Sequence, residues 1–141
     1  MNVLSLFDGC SGGQVALQKL GITFEGAINK YFASEIDPHA IKVTKANFPN
    51  TIHIGDVTRV ETIIDEKGKV ADIDLLMGGS PCTGFSFAGK QLNFNDPQSK
   101  LFFEFIRLRD TVKPKYILLE NVRMKKEYQD IISEHMGFEP Q

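Results

Sequence analysis

Val3-Leu4-Ser5-Leu6-Phe7-Asp8-Gly9-Cys10-Ser11-Gly12-Gly13 stands at the start of the chain, and the fold turns on how it is read. A mostly apolar run, residues 3–7, breaks into a turn carrying three glycines. A helical stretch follows over residues 14–20, closed by Gly21 as a C-terminal cap. Strand, glycine turn and helix in succession is how an α/β domain offers backbone N–H groups to a ligand. The spacing departs from the G-x-G-x-x-G of a dinucleotide fingerprint, which counts against a nicotinamide enzyme. The bland reading stays beside the functional one: Gly9, Gly12 and Gly13 supply positive φ and Asp8 shapes the turn.

The same alternation repeats along the chain. Residues 31–36 read as a second strand, with Asp37 as N-cap and Pro38 at the first helical position. Ile41, Thr44 and Phe48 recur on one helical face, and Pro49 ends it. Residues 51–54 read as a third strand running into Gly55-Asp56-Val57, with a polar helix expected over 59–66. Residues 73–77 read as a fourth strand. Leu101, Phe105, Leu108 and Val112 have the spacing of an amphipathic helix, ended by Pro114. Residues 116–119 read as a fifth strand, and Tyr128, Ile131, Ile132 and His135 as a last helix capped by Gly137. Strands alternating with helices predict a mostly parallel sheet with right-handed crossovers. Ligands in such sheets bind outside the carboxyl ends of the strands. Residues 8–13, 35–37, 55–57, 79–86 and 120–122 all fall there, which predicts one site.

The 141 residues suit one domain with a real core, and 42% hydrophobic with 24% charged residues excludes a disordered chain or a coiled coil. A net charge of −2 exerts no global pull on nucleic acid. Lys113, Lys115, Arg123, Lys125 and Lys126 cluster in sequence, as a phosphate-facing patch or as solvated loops. Two cysteines and three widely spaced histidines suggest neither a disulfide scaffold nor a zinc site. No run is apolar for long enough to span a membrane. The first residues lack the basic leader of a signal peptide, so a cytoplasmic setting is expected.

The chemistry centres on Gly79-Ser80-Pro81-Cys82-Thr83-Gly84-Phe85-Ser86. Cys82 follows a proline inside a glycine-rich loop at a strand end, which makes it a candidate nucleophile acting as the thiolate. The alternative is an inert buried thiol. Glu120 arrives at a neighbouring strand end. A carboxylate beside a thiol raises the thiol pKa, so Glu120 is better suited to hydrogen-bond a substrate than to act as the base. Asn121 would fix geometry there, or the two residues form a cap. Glu35 sits where an acid meets ribose hydroxyls, or is an exposed acid at a helix N-terminus. Asp56 is placed to accept from an adenine amino group, or is a turn residue. Cys10 is expected to pack, and residues 93–99 to form a polar loop.

In this order the residues resemble the cytosine-C5 DNA methyltransferases of bacteria and phages, over residues 3–123. Phe7-Asp8-Gly9-Cys10-Ser11-Gly12-Gly13 is similar to their first S-adenosylmethionine motif. Glu35-Ile36-Asp37 is similar to the acid after their second strand, and Gly55-Asp56-Val57 to their adenine-contacting turn. Gly79-Ser80-Pro81-Cys82 with Gly84-Phe85-Ser86 resembles their catalytic loop, and Glu120-Asn121-Val122 their substrate tripeptide. Five matches in register are a specific signal.

The resemblance implies a Rossmann-like S-adenosylmethionine-dependent methyltransferase fold, with S-adenosylhomocysteine as product and no metal. It assigns cofactor contacts to Phe7, Asp8, Gly9, Ser11, Gly12, Gly13, Glu35, Ile36, Asp56, Val57, Ser80 and Pro81. It assigns catalysis to Cys82, Glu120 and Asn121. The substrate implied is double-stranded DNA with the target cytosine flipped out, as in restriction-modification systems, while an RNA substrate stays open.

Thr83 departs from the glutamine of many members, which bears on a loop contact to DNA. The family continues past the tripeptide with an Arg-x-Arg motif, further strands and a target-recognition region. Arg107-Leu108-Arg109 precedes Glu120 and is read as a solvated helix face. Residues 1–141 are therefore expected to be the N-terminal part of a catalytic domain, incomplete at the C-terminus. Such a chain is expected to be inactive alone and to need a complementing fragment or self-association. Two other readings stand: a non-catalytic module that binds S-adenosylmethionine or a partner, and, on weaker grounds, a nicotinamide enzyme.

Overall fold

The computed structural model describes residues 1–64, 68–80, 100–122 and 124–139. Its strands are β1 (Asn2–Leu6), β2 (Lys30–Ser34), β3 (Thr51–Gly55), β4 (Leu75–Gly78) and β5 (Tyr116–Leu119). They form one sheet in the order β3-β2-β1-β4-β5, and every pairing is parallel. The chain runs outward from β1 to β3 and then returns to the other side of β1 for β4. This reversal opens a crevice at the carboxyl ends of β1 and β4, where such sheets bind ligands. The mostly parallel Rossmann-like sheet expected from the sequence is therefore the one observed.

Alternation along the strands builds a core on each face. Leu4, Leu6, Phe32 and Leu76 point to one side, against Phe105, Leu108 and Val112 of helix α3 (Leu101–Val112). Val3, Tyr31, Ala33 and Met77 point to the other, with Ile28 and with Leu17 of helix α1 (Gly12–Lys19). A central parallel strand covered on both faces buries every side chain, which is why β1 reads as a nearly unbroken apolar run.

The helix ends behave as the sequence indicates. Gly21 has φ +75°, its N–H donates to the Gln18 carbonyl at 3.0 Å, and the Ile22 N–H donates to that of Leu17 at 2.9 Å. This is a Schellman motif, with Ile22 and Leu17 in one apolar cluster. Helix α2 (Pro38–Asn47) starts with Asp37 accepting the His39 N–H at 2.9 Å. Helix α4 (Lys126–Met136) ends at Gly137 with φ +80°.

Several expectations need correction. Helix α1 begins at Gly12 rather than Gln14, because Ser11 adopts a left-handed conformation and opens the helix early. β2 stops at Ser34, so Glu35 and Ile36 lie in the loop beyond it. The buried positions of α2 are Ala40 and Thr44, with Ile41 and Phe48 only half-buried. No α-helix occupies the described part of 59–66. A short 3-10 turn, Val57–Arg59, leads into extended chain with an antiparallel bridge between Ile64 and Val70. β-Branched residues at 57, 58, 60, 62, 63 and 64 disfavour a helix, and burial of Val60, Ile63, Ala71 and Ile73 draws the segment onto the sheet.

The outer strand differs from its neighbours. Ile117 and Leu119 of β5 pack on the α3 side, but Tyr116 and Leu118 on the other face are each 57% exposed. Among the described residues the outer edge of β5 pairs with no strand. A groove of about 860 Å³ lies between that edge and α4, lined by Leu118, Asn121, Met124, Ile132, Met136 and Phe138 among others.

Arg107 and Arg109 are not a solvated face. Arg107 donates to the Val57 carbonyl at 3.0 Å and Arg109 to that of His135 at 2.5 Å, tying α3 to its neighbours. Of the basic cluster seen in sequence, Arg123 lies outside the described residues and the four lysines are split. Lys113 and Lys115 precede β5, whereas Lys125 and Lys126 open α4 and pair with Glu127 at 3.9 Å and Asp130 at 2.8 Å. Among the described residues no helix is long and apolar enough to cross a membrane.

Candidate active site

The turn after β1 is held from below by a buried polar network. Asp8 accepts from the Tyr31 hydroxyl at 2.9 Å through one carboxylate oxygen and from the Ser11 hydroxyl through the other. Gln14 Nε2 donates to Ser11 Oγ at 3.0 Å and to Thr51 Oγ1 at 2.8 Å. Burial, and then the Asp8 charge, push the Tyr31 phenol well above the ordinary tyrosine range, so it is a constant donor.

These bonds hold an unusual backbone: Phe7, Gly9 and Ser11 have φ of +56°, +56° and +61°. A non-glycine residue in this region costs roughly 1–3 kcal/mol, which the surrounding contacts must offset. Gly13 is closely packed, and a side chain there would force Met77 to shift. A Cβ there would lie 2.5 Å from Met77 Sδ and 3.1 Å from the Tyr31 hydroxyl oxygen. Nothing lies within 4 Å of a Cβ built at Gly9 or Gly12, so the turn presents bare backbone to open space. Cys10, expected to pack, is exposed on this turn.

Glu35 ties the second strand end to the first. Its Oε2 accepts the Gly9 N–H at 2.8 Å, and its Oε1 accepts those of Ile36 and Asp37 at 2.7 and 2.8 Å. Beside it Ile36 is 70% exposed, an apolar side chain held over the strand ends. Ser34 Oγ donates to the Gly55 carbonyl at 2.8 Å, joining the third strand end. Asp56 caps the 3-10 turn, accepting the Thr58 N–H at 2.9 Å and hydroxyl at 2.8 Å. These bonds hold its carboxyl below the usual range, with Arg59 adding less. Val57 is buried in the core, so its side chain is not open to a ligand.

On the far side of the crevice the Glu120 N–H donates to the Gly78 carbonyl at 2.9 Å. Glu120 Oε2 lies 2.7 Å from where a Cβ of Gly79 would stand. The carboxylate thus rests against the strand end whose next residue is the buried Ser80. Pro81 and Cys82, with the rest of 81–99, lie outside the described residues. Asn121 Oδ1 accepts the Val122 N–H at 2.8 Å, and its Nδ2 is buried with no partner among the described residues.

The arrangement has bare backbone at a helix N-terminus, an exposed apolar residue beside an anchored acid, and two carboxylates flanking a crevice. It fits a nucleoside bound through its base and sugar, without a phosphate cradle. Among the described residues no group of His, Cys, Asp and Glu is arranged to hold a metal ion.

Residues 1–133 match the C-5 cytosine-specific DNA methylase family. The chain belongs to that family. Type II methyltransferase M.NlaIV of Neisseria lactamica is 40% identical over 119 residues, covering 84% of this chain and 27% of the relative. Type II methyltransferase M1.ScrFI of Lactococcus lactis subsp. cremoris is 44% identical over 124 residues, covering 88% and 29%. The chain therefore spans less than a third of either relative. By structure it resembles Thermoplasma acidophilum 1320, with a TM-score of 0.60 at 14% identity over 96% of this chain and 58% of that one.

In this cytosine methylase chain the supporting residues Tyr31, Gln14 and Thr51 are the ones that motif reading misses. Tyr31 looks like any aromatic residue in a strand. The available signal is the glycine at 13 facing it, and that is visible only in three dimensions.

Proposed function

We propose that this chain carries the cofactor-binding and nucleophile-bearing part of a DNA cytosine-C5 methyltransferase. S-Adenosylmethionine supplies an electrophilic methyl group. The residues that would hold it are the open turn of Phe7, Asp8, Gly9, Ser11, Gly12 and Gly13, with Glu35 and Ile36, Asp56 and Val57, and Ser80 and Pro81. For Val57 only the backbone is available, since its side chain is buried.

The Cys82 thiolate adds to C6 of a flipped cytosine, forming a carbon–sulfur bond and moving electron density towards N3 and C5. Glu120 hydrogen-bonds the N3 edge and stabilises that charge. C5 would then take the methyl group as its bond to the sulfonium sulfur breaks, with S-adenosylhomocysteine as the leaving group. Loss of the C5 proton to a water-borne base would expel the Cys82 thiolate, breaking the carbon–sulfur bond and restoring the aromatic ring. Asn121 keeps the tripeptide in shape through its bond to Val122.

The observation that carries this reading is the Glu120 carboxylate resting against Gly79, three residues before Cys82. The family match supports it. The chain works in the cytoplasm on double-stranded DNA, with the remaining part of the enzyme covering β5. It is inactive without that part. The test is adduct formation on duplex DNA containing 5-fluorocytosine, with S-adenosylmethionine and a polypeptide equivalent to the rest of M.NlaIV supplied in trans. A covalent complex with the native chain, lost in Cys82→Ser, is expected. An equal yield from Cys82→Ser removes the nucleophile assignment.

The uncovered face of β5 favours a second reading, in which the chain is a non-catalytic module that binds cofactor or a partner. Calorimetric binding of S-adenosylmethionine without any methyl transfer in the complemented mixture would select it.

A further inference from the structure

We infer that Tyr31 is a positioning residue for the cofactor turn, acting through Asp8 and Ser11; this rests on the reading of residues 8–13 as that turn. Tyr31 sits on β2 and is fully buried, on the face shared with α1. Its hydroxyl meets one oxygen of the Asp8 carboxylate at 2.9 Å, and Ser11 holds the other. Asp8 is also fixed through its backbone. Its N–H donates to the Ser34 carbonyl at 3.1 Å and its carbonyl accepts the Ser11 N–H at 3.0 Å. The carboxylate thus has two side-chain donors, one from the sheet and one from the residue that opens α1. Without the phenol a buried carboxylate loses a charge-assisted hydrogen bond, an expensive loss where no water replaces it.

The consequence falls on Ser11. Its left-handed conformation is unfavourable by itself, and it sets the direction in which Gly12 and Gly13 present their N–H groups. The Tyr31 hydroxyl also stands 3.1 Å from the space a Cβ at Gly13 would occupy, so phenol and turn fit face to face. Thr51 of β3 reaches the same network through Gln14. The amino-terminal ends of β2 and β3, through Tyr31 and Thr51, and the carboxyl end of β2, through Ser34, are thereby linked to the turn beneath the surface that faces the cofactor.

The test uses this chain with Tyr31→Phe, which keeps the ring and its packing, alongside Asp8→Asn and the double variant. Amide hydrogen exchange is followed at residues 9–14 and in β1, β2 and β4. Tyr31→Phe is expected to speed exchange roughly tenfold across the turn while the strand amides are unchanged. S-Adenosylmethionine affinity, measured by calorimetry, is expected to fall by a similar factor. Asp8→Asn should have a comparable effect, and the double variant should be little worse than either single one, because the two groups act as one link. Unchanged exchange in the turn of Tyr31→Phe overturns the proposal. So does a loosened turn with undiminished affinity, or full additivity of the two substitutions. A native chain that binds no S-adenosylmethionine overturns the cofactor reading, and the exchange data then decide the Tyr31–Asp8 link separately.

Discussion

The turn after β1 and the outer edge of β5 are built from similar material and end in opposite states. Both follow short apolar strands, Asn2–Leu6 and Tyr116–Leu119. At the first, strands pair on both sides and helices cover both faces, so Leu4 and Leu6 are fully buried and Asp8, Ser11 and Gln14 are buried with them. The polar groups there bond to one another, with Gln14 Oε1 left without a partner among the described residues. At the second, Tyr116 and Leu118 face outward and Asn121 Nδ2 has no acceptor among the described residues. Position in the sheet, rather than strand composition, makes the difference. An apolar side chain is stabilised only by what is brought against it.

The largest effect that would break this comparison comes from truncating matched leucines. Leu6→Ala should lower stability by about 2–5 kcal/mol, because it leaves a cavity between filled layers. Leu118→Ala should stay within about 0.5 kcal/mol. Urea unfolding of the two variants checks both. A large cost at Leu118 would mean that the β5 face is covered in solution, and light scattering would then show association.

Next come the two glycines that end β4. A Cβ at Gly78 would stand 2.7 Å from the Leu6 carbonyl oxygen, which is backbone and cannot yield, so Gly78→Ala should cost about 1–3 kcal/mol in thermal unfolding. At Gly79 the obstacle is the tip of Glu120. Gly79→Ala should therefore leave stability nearly unchanged while displacing the carboxylate, and the fluorocytosine adduct should form more slowly.

The pH dependence sharpens the contrast further. The Tyr31 phenol is pushed above its ordinary range in the folded chain, so the folded state holds its proton more tightly than the unfolded one. That stabilisation is fully present below the unfolded value of about 10 and is lost as pH rises beyond it. Tyr31→Phe should flatten the alkaline limb of the stability curve, measured by denaturant melts between about pH 9 and 11. Asp56 behaves in the opposite sense. Its lowered pKa contributes stability at neutral pH that is lost as pH falls through the folded value, and its exposure keeps the effect small. At the α2 cap, Asp37→Ala should cost about 1 kcal/mol in thermal unfolding through loss of the His39 N–H bond.

Much of the fold was legible in the chain because its signals are local. The Gly21 and Gly137 caps, the Asp37-Pro38 start of α2 and the spacing of Leu101, Phe105, Leu108 and Val112 each report the conformation of their own residues. The segment 59–66 misled because its polar residues suggested a helix, while burial of Val60 and Ile63 selected extended chain. In the site, the glycine turn, Glu35, Asp56 and Glu120 could be named from strand ends. Cys10 could not be placed, since the φ of Gly9 and Ser11 turns it outward.

By itself the sequence determined the alternation of strands and helices, and so a parallel sheet with the motif residues at one end. It also determined which family the chain belongs to, because motif order survives without coordinates. Only the tertiary structure decided that Asp8 is shared between Tyr31 and Ser11, that Glu35 anchors Gly9, and that Glu120 presses on Gly79. It alone decided that, among the described residues, no strand pairs with the outer edge of β5. These are contacts between residues far apart in the chain, and they exist only once burial has brought the strands side by side.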